Sequence, residues 1–164
     1  MFKINDYIIY KNEVCLVIDI LKNYYRDEDF YVLEPINDKS LSIKIPVSNK
    51  NNFLRPIISK EGALEVIKNI PFIKPVLVEE KYLDNTYKEL LNNRNHESLI
   101  KIIKTTYLRN EERRNNNLKE KEKDNVYFNL AEKLLYDEFS IALGKNFSET
   151  RDFIINEVKN MENS

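Results

Sequence analysis

The period of the hydrophobic pattern changes near residue 59. Before it, apolar residues fall in short runs, YIIY (7–10), EVCLVIDI (13–20), DFYVLEPI (29–36) and SLSIKIPV (40–47), separated by polar connections. Runs rich in β-branched and aromatic residues predict strands, because such side chains fit a pleated, half-buried surface. SLSIKIPV alternates, with Leu41, Ile43, Ile45 and Val47 on one face and Ser42, Lys44 and Pro46 on the other. FLRPII (53–58) is a fifth candidate, and Pro56, which has no N–H for a ladder, confines it to an edge or an end. Four or five short antiparallel strands predict a small barrel that closes most of its own edges.

From Ser59 the apolar period becomes helical. Ser59 is placed as an N-cap, Glu61 lies in the first turn, and Ala63, Leu64, Val66, Ile67 and Ile70 form a stripe ended by Pro71. PFIKP then reads as a stiff connection. The remaining chain predicts helices over about 78–91, 97–114, 124–143 and 149–160, with Gly144 stopping the third and Ser148 capping the last. The expected class is α+β: a β domain over 1–58, a short helix and proline-containing linker over 59–76, and an all-α domain over 77–164.

Composition adds a core. Hydrophobic residues make up 42%, and ten Tyr with eight Phe supply bulk. No run approaches the roughly 20 apolar residues of a membrane span, and MFKINDYIIYKNE lacks the blocks of a signal peptide, so a cytoplasmic protein without membrane contact is expected. The single cysteine, Cys15, stands in an apolar run and is expected to be a buried small hydrophobe.

Charge is unevenly distributed beneath a net of −1. Residues 1–86 carry 12 basic and 13 acidic side chains, 87–123 carry 10 and 6, and 124–164 carry 4 and 8. Any phosphate contact therefore belongs to the middle of the chain. In LIKIIKTTYLRNEERR (99–114), Leu99, Ile100, Ile102, Ile103 and Tyr107 project to one side of a helix, and Lys101, Lys104 and Arg109 to the other. The apolar half packs; the basic half fits either water or phosphate.

No catalytic constellation is visible. His96 is the only histidine, in the polar stretch NNRNHES, which excludes most nucleophile–histidine and multi-histidine metal arrangements. Two glycines leave no phosphate-binding loop. The acidic clusters Glu79–Glu80 and Asp27–Asp29 read as solvated charge in preference to a carboxylate-dependent hydrolase or magnesium site. The expectation is a non-enzyme without metal or small-molecule cofactor, a binding adaptor whose strand edges or Lys and Arg side chains meet a partner.

Several stretches together resemble the CarD/CdnL family of bacterial RNA polymerase-binding transcription regulators. MFKINDYIIYKNE is similar to the family's opening segment. DFYVLEPINDKSLSIKIPVSN is similar to its Tyr-x-Val-Leu strand, turn and aliphatic strand, and FLRPIISKEGALEVI to its passage into the first helix. YKELL (87–91), LIKIIKTTYLRNEER (99–113) and YFNLAEKLLYDEFSIALGKN (127–146) follow in the family's order and spacing. The resemblance implies an N-terminal Tudor-like or SH3-like domain, shared with the transcription-repair coupling factor, that binds the RNA polymerase β subunit. It also implies a C-terminal helical domain that contacts promoter DNA and changes open-complex stability.

Carried over position by position, the resemblance puts Tyr31, Leu33, Ile43, Lys44 and Pro46 in the polymerase-facing region, with Arg26 on the adjoining turn. On the DNA side it puts Tyr87 and Lys88 first, then Lys101, Lys104, Arg109, Arg113 and Arg114. Many members use a tryptophan four residues before that tyrosine as a wedge at the DNA bubble. This chain has no Trp, so the wedge falls to Leu83 or the adjoining Tyr82. The first hairpin reads YKNEVCL where the family has Pro and Gly; Asn12 is able to take a positive φ there, though less readily than Gly, so a longer or more ordinary turn is expected.

Overall fold

The computed structural model describes residues 1–163 and divides into two compact units, Met1–Ile57 and the chain from Ile58 onward. The class is mixed α+β: one antiparallel sheet and five helices.

The first unit holds strands β1 (Tyr7–Tyr10), β2 (Glu13–Tyr25), β3 (Glu28–Pro35), β4 (Ile43–Pro46) and β5 (Leu54–Pro56), in the order β4-β3-β2-β1-β5. The two-residue period builds its core. Ile8 lies opposite Cys15, Val17 opposite Leu33, Ile20 opposite Tyr31, and Ile45 and Ile43 oppose Tyr31 and Leu33 from β4. The expected alternation of β4 holds for Ile43, Ile45 and Val47, whereas Leu41 precedes the strand and is exposed. β5 is an edge strand ending at Pro56. The sheet is open: among the described residues no ladder joins β4 to β5. Strands of four and three residues, each ending in proline, offer too few N–H groups for the closure expected from the pattern.

Left-handed residues turn both hairpins. In the first, Lys11 takes positive φ (56°), not Asn12. Its N–H donates to the Phe53 carbonyl (2.8 Å) and its ammonium lies over the Phe53 and Tyr10 rings (4.8 and 5.4 Å), contacts that offset the strain of a non-glycine residue there. The second hairpin turns through Arg26 and Asp27, at φ 50° and 60°, the pair of positive values that suits a two-residue loop. A bulge before it, with Asn23 at φ 48°, is fastened by the Asp29 carboxylate, which accepts from Asn23 N (3.0 Å) and Lys22 Nζ (3.2 Å). Those bonds, the backbone one foremost, hold Asp29 below the usual carboxylate range.

The second unit contains α1 (Lys60–Asn69), a 3-10 turn (Ile70–Phe72), α2 (Glu80–Asn93), α3 (His96–Asn115), α4 (Glu122–Leu143) and α5 (Phe147–Glu162). Ser59 caps α1 by accepting Gly62 N (2.9 Å), and Gly144 closes α4 at φ 65°, both as expected. The cap of α5 is Asn146, not Ser148. Asn146 and Glu149 satisfy each other's backbone N–H groups (2.8 and 3.1 Å), a reciprocal box that leaves Ser148 inside the first turn.

Residues 59–76, read from the sequence as helix and linker, are packed within this unit. Ala63, Ile67 and Ile70 share one core with Leu83, Leu99, Ile102, Leu135 and Phe139. Val76 N donates to the Thr105 hydroxyl (2.9 Å). Among the described residues no helix is long and apolar enough to cross a membrane.

Candidate functional site

The basic middle of the chain lies on α2, α3 and the start of α4. In α2 the buried stripe is Leu83, Tyr87 and Leu90, the i, i+4, i+7 spacing of one helix face. Leu83 is 5% exposed and Tyr87 is fully buried, so the first wedge candidate and the leading tyrosine are both core residues. The Tyr87 ring stacks near Tyr127 (4.7 Å) and its hydroxyl donates to Asp124 Oδ1 (3.1 Å). Burial first, and Asp124 second, push that hydroxyl far above its ordinary pKa. Tyr82, one step round the helix, is 52% exposed with the Lys81 ammonium over its ring (5.1 Å). Of the two wedge candidates, only Tyr82 has surface to offer.

All six predicted cations of this region are engaged inside the unit. Lys88 Nζ meets Asp84 Oδ2 (3.0 Å), and Asp84 also accepts the Tyr127 hydroxyl (2.9 Å) and faces Lys123 (3.5 Å). The Lys88 hydrogen bond leads in holding Asp84 low, and Asp84 in turn raises Lys88. Lys101 pairs with Glu97 (3.9 Å). Arg109 bridges Asp124 (3.0 Å) and Glu80 (3.3 Å), and Lys121 also pairs with Glu80. Arg113 donates to the Lys119 carbonyl (2.6 Å), and Arg114 meets Glu120 (3.2 Å).

Lys104 departs furthest from its expected place on the solvent side. Its ammonium donates to the carbonyls of Ile70 and Ile73, capping the 3-10 turn, and burial lowers its pKa. Carbonyl oxygens left at the end of that turn attract a cation, which draws the side chain inward.

These contacts differ in how readily a phosphate can replace them. Exposed pairs such as Lys88–Asp84 and Lys101–Glu97 are screened by water and salt and open easily. Arg109 is bound to an Asp124 carboxylate that is almost wholly buried, and removing it leaves that charge without its guanidinium. The accessible features near α2 are therefore Tyr82, Lys81 and Lys88, preceded by the exposed Phe72, Leu77 and Val78. Phe72 lies in PFIKP, which signals a connection, and Val78 falls in the stretch expected to be helical, whereas α2 starts only at Glu80; exposure of apolar residues ahead of a helix carries no periodic signature.

In the sheet unit, Tyr31 and Leu33 are core; the Tyr31 hydroxyl accepts the Phe2 N–H (3.0 Å). Ile43 and Pro46 are half-buried on edge strand β4. Arg26 and Lys44 remain accessible, each stacked on an exposed tyrosine: Arg26 over Tyr25 (5.1 Å) and Lys44 over Tyr24 (5.8 Å), whose ring meets Phe30 edge-on (5.2 Å). Cys15 is fully buried, and burial pushes its thiol up to about 12. His96 opens α3 and its Nε2 meets Glu138 Oε1 (2.9 Å), a carboxylate that also accepts Ile58 N (2.9 Å). Among the described residues no group of three or more His, Cys, Asp or Glu side chains is placed to hold a metal.

No protein-family model matches the chain, and no curated protein matches it.

Proposed function

We propose that the protein is a transcription regulator of the CarD/CdnL type, non-enzymatic, whose sheet unit binds the RNA polymerase β subunit and whose helical unit contacts promoter DNA. In this reading the open five-stranded sheet is a Tudor-like module. Arg26 and Lys44, stacked on Tyr25 and Tyr24, form its accessible cationic surface for a partner, and β4 leaves an edge that a partner strand can extend. Tyr82 carries the DNA side of the proposal. It is the one wedge candidate at the surface, with Lys81 beside it and Lys88 less than two turns further along the same helix. Binding the open complex better than the closed one then shifts that equilibrium by the difference in affinity.

The test uses the full chain. It is expected to co-purify with polymerase β subunit, with capture reduced by Arg26→Glu. Tyr82→Ala is expected to change open-complex lifetime about tenfold, ~1.4 kcal/mol, while leaving polymerase capture intact. Absence of polymerase capture sinks the assignment; an unchanged lifetime with Tyr82→Ala sinks the wedge.

The internal pairing of six cations favours a second reading, a protein interaction adaptor with no DNA role. Promoter complexes whose stability is the same at low and moderate salt, with or without the protein, decide for it.

A further inference from the structure

α5 packs against α4, α1 and the 3-10 turn, and an open groove of about 580 Å³ runs between it and α3, floored by α4. This volume lies within the range of small-ligand sites, roughly 300–1,000 Å³. The floor and walls are largely apolar, with Ile103 from α3, Phe128 and Leu135 from α4, and Ile155 and Val158 from α5. Polar groups gather at the two ends. One end holds Arg151 with Glu132 and Tyr136; burial raises the Glu132 carboxyl, which Arg151 pulls back, and lifts the Tyr136 hydroxyl to about 12.

The other end holds Lys104 and Lys159. Glu162, one turn beyond Lys159, acts electrostatically on Lys104, which sets both lysines at this end of α5. Arg151 and Lys159 are eight residues apart on one helix, about 12 Å at 1.5 Å per residue.

The charges here contrast with those on α2 and α3. There every predicted cation has a carboxylate or carbonyl partner. Here Arg151 and Lys159 make no ion pair among the described residues, and Lys104 gives two of its three protons to carbonyls. Three cations line an apolar trough against one lining carboxylate, Glu132, which faces Arg151, and Glu162 beyond the lining, which acts on Lys104. That leaves the Lys104–Lys159 end net positive: a purely apolar occupant leaves this charge unanswered, and a cationic one is repelled. We infer that the α3–α5 groove binds a small apolar molecule bearing a carboxylate, of the medium-chain fatty-acid class, with its chain on Ile103, Phe128 and Ile155 and its carboxylate at the Lys104–Lys159 end. This site stands independently of the polymerase and DNA reading.

The test titrates the full chain with decanoate below its micellar concentration, following isoleucine methyl resonances and dialysis binding, with decanol and decylammonium as comparators. Saturable binding at one site is expected, with Ile103 and Ile155 methyls shifting. Decanoate should bind at least tenfold more tightly than either comparator. Lys159→Glu, an exposed substitution that leaves the core intact, is expected to weaken decanoate at least tenfold. Ile103→Trp, which fills the groove, is expected to abolish binding while circular dichroism stays helical.

Absence of saturable binding, shifts confined to other surfaces, or comparators binding as well as decanoate overturns the inference. So does a concentration-dependent dimer that protects the same methyls, because a second copy then covers the groove.

Discussion

A carboxylate with 2% of its surface exposed needs partners, and Glu138 has them in His96 and the Ile58 N–H. The residues are 42 and 80 positions away along the chain, so one α4 side chain fixes where α3 begins and where the helical unit begins. Glu138→Ala leaves a partly buried N–H and the His96 ring without their acceptor and is expected to cost about 2 kcal/mol in urea unfolding. Glu138→Gln retains an acceptor for Ile58 and is expected to cost clearly less; equal losses in the two variants would show that the bond to Ile58 is not what stabilises. Asp84 supplies a pH signature of the opposite kind, on the surface. Its folded pKa is depressed, chiefly by Lys88, so its contribution is complete above the unfolded value of about 3.9 and disappears as pH falls through the lower folded value. The stability difference between wild type and Asp84→Asn is therefore expected to be flat from neutral pH to about 5 and to close below about 4. A gap that persists unchanged through that acid range argues that Asp84 is not charge-coupled to Lys88.

Among the elements, α5 separates a cap from a look-alike. Both Asn146 and Ser148 are N-cap residue types, but only Asn146 has a Glu three positions on that returns a bond to its own N–H. Asn146→Ala is expected to lower stability by about 1 kcal/mol and Ser148→Ala to change it by less than about 0.5 kcal/mol, read from melting temperatures. The reverse order would place the helix start two residues later. The same distinction explains what was legible in the sequence. Strands with alternating or unbroken apolar runs, the Ser59 cap and the Gly144 stop follow from local chemistry, and they stand where local chemistry puts them. α3 does not, because it has neighbours on more than one side. Thr105, Thr106 and Asn110 are buried, and Tyr107, assigned to the packed face, is half exposed. Thr105 is buried because it receives the Val76 N–H, and Lys104 turns inward because the 3-10 turn presents carbonyls. Both reasons come from residues about thirty positions away, which no helical projection contains. The site was legible to the same depth. Arg26 and Lys44 lie at the surface as expected, while the inward turn of Leu83 and Tyr87 follows from a stripe completed by Leu90.

At the scale of the whole molecule, the charge balance sets what DNA binding, if the helical unit performs it, must look like. The chain carries a net charge of −1, and its basic segment is largely answered by Glu80, Asp84, Glu97, Glu120 and Asp124. Each phosphate neutralised contributes about −0.9 to the slope of log K against log salt for duplex DNA. Lys81, Lys88 and Lys101 hold only exposed pairs that phosphate can displace at little cost, whereas Arg109 and Lys104 are tied to buried or backbone groups. A slope of about −3 is therefore expected for a promoter fragment between about 50 and 200 mM salt, shallow for a DNA-binding protein. Lys88→Glu is expected to weaken binding on all sequences alike and to reduce the slope by about 1. A slope steeper than about −5 needs more cations on phosphate than those three lysines: Arg109, Arg113 and Arg114 released from their internal partners, or Arg151 and Lys159, which make no ion pair among the described residues. Charge reversal at Arg113 or at Lys159 tells the two apart, and loss of slope at Arg113 means that the helical unit rearranges on DNA. A slope near zero removes phosphate from the account and leaves the exposed Phe72, Leu77, Val78 and Tyr82 as a surface for protein. The measurement thus separates a rigid helical unit that touches few phosphates from one that opens its ion pairs to grip many, and both from an adaptor that never meets DNA.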